Sequence, residues 1–121
     1  MLTTWDHRTL SIPMLLYPAA RIDDFAEDSK GLSVDVDILL ATEDELSRVA
    51  NAYRKWAEEL SDAAVEVDER PWGTYLRIDR VHSIMIFRGN NTDRDIRTIR
   101  LVNEEANETK IGVSFRLSPA E

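Results

Sequence analysis

The chain has 121 residues, 43% of them hydrophobic and 31% charged, with a net charge of −8 and no cysteine. That is one domain's worth of foldable sequence, too short for two. The missing cysteines exclude disulfides, thiolate metal sites and thiol nucleophiles. The acidic balance repels phosphate backbones and argues against general nucleic-acid binding.

Charge is unevenly distributed. Residues 1–30 carry three basic and five acidic side chains, residues 31–70 four and eleven, and residues 71–121 eight and seven. The middle is therefore strongly acidic, while Arg77, Arg80, Arg88, Arg94, Arg97 and Arg100 make a locally basic stretch facing only Asp79, Asp93 and Asp95. No apolar run approaches the roughly 20 residues that cross a bilayer. The start, Met1 to Arg8, lacks the basic and apolar parts of a secretory signal, so a cytoplasmic protein is expected.

In chain order, Leu10, Ile12, Met14 and Leu16 alternate with polar residues and predict a strand, which Pro13 places at an edge. Residues 18–31, rich in Asp, read as a solvated connection. Residues 1–31 thus form an N-terminal strand and connection ahead of a core at 32–121, within a single domain. Leu32, Val34, Val36, Ile38 and Leu40 share one strand face, opposite Ser33, Asp35 and Asp37. A helix follows, with Thr42 and Glu45 at capping-box spacing. Leu46, Val49, Ala50, Tyr53, Trp56, Ala57 and Leu60 then make one apolar stripe, which must lie on a sheet to be buried.

Val65 to Asp68 predicts a short strand and Arg70 to Gly73 a turn. A long run from Thr74 to Phe87 changes phase near Asp79 to Val81, which predicts a bulge or burial on both faces beyond it. A turn at Arg88 to Asn91, a strand at Arg97 to Val102 and a polar turn at Asn103 to Thr109 follow. Ile111, Val113, Phe115 and Leu117 then alternate with Lys110, Gly112, Ser114 and Arg116, the second arm of a hairpin with one buried face. The expected class is α+β: a mostly antiparallel β-sandwich or barrel-like sheet with one amphipathic helix packed on it.

Catalytic chemistry finds no motif. Asp35 and Asp37 alternate on one strand and could pair for a metal, yet the same alternation is that of a wet strand face. Asp23, Asp24 and Asp28 lack the ordered spacing of a calcium loop. His82 adjoins Ser83, but strand neighbours point to opposite faces and cannot form a relay. No catalytic residue, metal site or cofactor is expected.

From Gly31 onward, the strand Leu32 to Leu40, the directly joined helix at Ala41 to Leu46, the strand Val65 to Asp68, and the segments Gly73 to Ile78, Arg80 to Ile84 and Arg97 to Val102 resemble the small β-sandwich domains of phage tail-tube and distal-tail proteins. The resemblance implies a non-enzymatic structural subunit of the virion, assembled in the host cytoplasm into a homo-oligomeric ring with other tail proteins as partners. Head-to-tail rings need two unlike patches on each subunit. Glu58, Glu59 and Asp62 on the helix, and Arg77 and Arg97 on the strands, are the candidate interface residues. The alternative is a small acidic inhibitor, of the toxin-immunity or anti-defence kind, binding a basic protein through residues 35–69.

Overall fold

The computed structural model describes residues 2–5, 8–60, 65–89 and 108–119, with their side chains from Met14 onward, Lys30 and Pro119 excepted. The order is β1 (Leu2–Trp5), β2 (Arg8–Met14), β3 (Arg21–Lys30), β4 (Ser33–Thr42), α1 (Leu46–Glu58), β5 (Glu66–Arg70), β6 (Gly73–Arg77), β7 (Ser83–Gly89) and β8 (Glu108–Pro119). All pairings are antiparallel. The body of the sheet runs β5-β6-β7-β8-β4-β3, and the β1–β2 hairpin joins the far end of β8 through Arg8 and Thr9. The sheet is open and not closed into a barrel. Pro13 lies beyond the contact with β8, where β2 meets only β1 among the described residues.

The helical stripe is the core's lid. Val49, Ala50, Tyr53, Trp56 and Ala57 are buried against Val34, Val36, Ile38 and Leu40 of β4, Leu76 of β6, Ile84 and Ile86 of β7, and Ile111, Val113, Phe115 and Leu117 of β8. Leu46 and Leu60 pack at its ends. Burial pushes the Tyr53 hydroxyl well above its usual pKa, and that hydroxyl donates to the Leu15 carbonyl at 3.0 Å.

The helix begins later than its sequence signal. Its N-cap is Glu45, without a side-chain cap, because Thr42 still belongs to β4 and its hydroxyl accepts from Asp44 N–H instead. Asp44 is pinned from two sides: Tyr17 Oη donates to its carboxylate at 2.5 Å and Thr109 Oγ1 to its carbonyl at 2.6 Å. Tertiary contacts thus fix the turn where a local capping box was expected.

Three further expectations are corrected. Residues 18–31 contain a ten-residue strand, β3, paired along its length with β4. Its sequence hides this because the strand is partly exposed on both faces and shows no alternation. The run from Thr74 to Phe87 is a hairpin: the phase change is a turn in which Asp79 Oδ1 accepts the N–H groups of Val81 and His82, both at 2.8 Å. Burial on both faces beyond it does hold, since Ile84 and Ile86 face α1 while Phe87 is buried on the other side. Finally, β8 is not the second arm of a one-faced hairpin but the strand between β4 and β7, and Lys110 on its supposed wet face is fully buried. The expected strand at Arg97 to Val102 lies outside the described residues.

The two-residue loop Pro71-Trp72 joins β5 to β6, and its geometry is taken up by Gly73 at φ 150°. A Cβ there would strike the Ile86 carbonyl of β7.

Candidate functional site

Antiparallel pairing of β3 with β4 shifts register between Ile22 and Asp24, so Asp23 is an extra residue in β3. The bulge has two effects. It keeps Ile22 and Phe25 on one face, opposite Leu40 and Ile38, although residues three apart on a regular strand would point to opposite sides. It also turns the Asp23 carboxylate onto the reverse face of the sheet, toward Lys110 of β8.

There, four charges form a closed network. Lys110 Nζ meets Asp23 Oδ2 at 2.6 Å, with both side chains essentially sealed from solvent. Arg21 donates to Asp23 from Nε at 2.5 Å and from Nη2 at 3.0 Å, and its Nη2 reaches Glu108 Oε2 at 2.9 Å. Burial pulls the Asp23 carboxyl upward, but Arg21 and Lys110 outweigh it and hold it below the ordinary carboxylate range. Arg21 is held firmly protonated, first by Asp23 and then by Glu108. The stem of Lys110 fills the space left by Gly89, where a Cβ would come within 2.7 Å of its Cγ. Every ionisable group here is met by an opposite charge, and the network anchors β3 to β8.

Further along the same face, Asp35 takes Arg116 Nε at 2.7 Å and Nη2 at 3.2 Å, and Asp37 accepts from Ser114 Oγ at 2.5 Å. These aspartates are half-buried and paired across strands, not a bare wet face. His82 is buried, with Nδ1 2.9 Å from Asp79 Oδ1; its Nε2 is buried without a hydrogen-bond partner among the described residues. Burial pulls Asp79 up, but the Val81 N–H and the His82 ring and N–H outweigh it and leave its pKa low. Ser83 starts β7 opposite Ser114, on the face turned from α1, so it does not meet the imidazole. Among the described residues, no three His, Asp or Glu side chains are grouped to hold a metal, and no helix is long and apolar enough to cross a membrane.

The β3–β4 hairpin is the distinctive part of the described surface. Among the described residues, three of the four exposed large hydrophobic residues sit on it: Ile22 at 55%, Phe25 at 40% and Leu32, at the tip, at 82%. Leu32 was expected on the buried face of β4, but it precedes the strand, in the turn where Gly31 takes φ 68°. Residues 21–42 carry six acidic and two basic side chains, and Glu27 and Asp28 are exposed.

Of the candidate interface residues, Glu58 and Glu59 stand together, exposed, at the C-terminal end of α1. Arg77 is exposed on β6, on the face turned away from α1 and opposite Glu66 of β5 in register. Asp62 and Arg97 lie outside the described residues. The helix and strand candidates therefore occupy opposite sides of the sheet. The hairpin residues Ile22, Phe25 and Leu32 were missed as surface features; two exposed apolar residues in the acidic stretch 18–31 were the available signal. Comparison with protein-family models, curated proteins and solved structures returned no match.

Proposed function

We propose that this chain is a non-enzymatic subunit that acts by binding other protein chains, in the setting of a phage tail or tail-like assembly whose copies form a ring. The observation that carries the reading is the β3–β4 hairpin, on which Ile22 and Leu32 are exposed apolar residues. Clustered exposed apolar residues are a liability that proteins usually remove, and their retention fits a surface that binds protein. Location of the Glu58–Glu59 pair and of Arg77 on opposite sides of the sheet supports the ring, since head-to-tail contact requires two unlike patches. A virion location belongs to this same proposal.

Light scattering across a concentration series tests it. A mass several-fold that of one chain at low salt, reduced by Arg77→Glu and partly restored by adding Glu58→Arg, is the expected result. A single-chain mass at all concentrations removes the autonomous ring.

One observation favours a second reading, the small acidic inhibitor. Between α1 and β5, Ala57, Leu60, Val65 and Val67 floor a shallow groove edged by Arg54 and Glu58. Arg54 is paired with Glu69, which leaves Glu58 to set the charge of the rim, so the groove suits a basic, partly apolar protein surface. Capture of that partner by a stable monomer would favour this reading over the ring.

A further inference from the structure

We propose that the β3–β4 hairpin tip of one copy docks in the α1–β5 groove of the next, with Leu32 seated among Ala57, Leu60, Val65 and Val67. This rests on the reading of the chain as a subunit whose copies form a ring, and names the two surfaces that meet.

The tip is built to protrude. Lys30 pairs with Ser33, so Gly31 and Leu32 alone make the turn. Tight hairpin turns favour Gly, Asn and Asp, so Gly31 at φ 68° serves the turn while the leucine beside it does not. Leu32 is nonetheless 82% exposed, more than any other large hydrophobic residue described. A Cβ on Gly31 would meet nothing within 4 Å, so the tip stands clear of the body. Lys30, the only basic residue from Ile22 to Thr42, immediately precedes the turn in the sequence.

The groove is the complement of such a tip. Its volume of about 380 Å³ admits a leucine side chain, and its floor is apolar, with Val67 still 44% exposed. Glu58 and Glu59 are exposed at the end of α1 beside it, while Arg54 is engaged by Glu69. An apolar tip with a basic neighbour therefore meets an apolar floor with an acidic rim.

A copy cannot fill its own groove. The tip lies at the β3–β4 end of the sheet body and the groove at the β5 end, and strands about 4.8 Å apart separate them by roughly 20 Å. Each copy thus presents one projection and one recess on opposite flanks. That is the arrangement of a head-to-tail contact, which closes into a ring when its rotation allows.

The test uses the full chain. Sedimentation at low salt compares the wild type with Leu32→Asp and Val67→Glu, both at exposed positions, with circular dichroism to verify folding. Each variant should weaken assembly at least about 10-fold, the effect of losing a central anchor. Because the chain has no cysteine, mild oxidation of Leu32→Cys mixed with Val67→Cys then reports the pairing. Cross-links between the two variants should exceed the share that random pairing gives. Assembly untouched by the folded variants would overturn the proposal and leave the ring reading standing on other surfaces. So would cross-linking at the random share, which means collision only, or an excess of Leu32→Cys joined to itself, which means a two-fold contact between tips. A wild type of single-chain mass at every concentration would overturn both this proposal and the autonomous ring.

Discussion

Lys110 Nζ lies 2.6 Å from Asp23 Oδ2, joining residues 87 positions apart through side chains that are both closed to water. A buried ion pair of this kind contributes little against an apolar replacement, yet breaking it leaves one charge stranded. Asp23→Asn should therefore cost about 3–5 kcal/mol. The double change Asp23→Leu with Lys110→Met should recover most of it. Denaturant unfolding of the three proteins checks the order, and a double variant no better than Asp23→Asn would refute the account.

Acid should unfold the chain partly through the same carboxylate. As pH falls, unfolded carboxyls take protons near their ordinary pKa of about 3.9, while folded Asp23 and Asp79 stay ionised to lower pH. Between the two values the unfolded state binds more protons, so stability falls with pH. The contribution is complete above the ordinary value and is lost as pH drops through the folded one. Asp79, nearly half exposed, supplies the smaller share because solvent screens it. Stability measured against pH should have a shallower acid limb in Asp23→Asn than in the parent chain.

Trp56 joins α1 to the sheet, is 3% exposed and meets Tyr53 edge-on at 6.1 Å. Trp56→Ala should cost about 3–5 kcal/mol, as large cavities in cores do. Calorimetry reads this as a lowered melting temperature; an unchanged one would mean the stripe is not what holds the sheet.

Gly73→Ala meets two obstacles at once, the φ of 150° and the Ile86 carbonyl. It should destabilise by at least about 1–3 kcal/mol from backbone strain alone. Gly31→Ala faces only the first, with open space around it, and should cost less. Parallel melts of the two variants rank them.

How much of this could be read beforehand follows from what each residue depends on. The stripe from Val49 to Ala57 and the alternation from Val34 to Leu40 depend on near neighbours in sequence, and both are buried as expected. Lys110 depends on Asp23, whose position is set by a bulge that no local pattern announces. The β6–β7 turn contains neither glycine nor proline and is made by the Asp79 carboxylate, so the run looked continuous. The hairpin surface was hidden for the reason that hid β3: a strand with charge on both faces has no period to find. Thr42 misled in the opposite direction, offering a local cap that the longer reach of β4 overrides.

The place of β8 has a consequence for synthesis. The ribosome releases the β1–β2 hairpin first, then the β3–β4 hairpin, then α1 and the strands β5 to β7, and among the described residues these parts share no strand pairing until β8 arrives. Until Glu108–Pro119 has emerged, β4 and β7 each keep a bare flank, and the apolar stripe of α1 has only an unfinished floor. Closure is then a single late insertion that zips both flanks onto one strand, slow because it joins distant positions and hazardous because the waiting flanks can capture other chains.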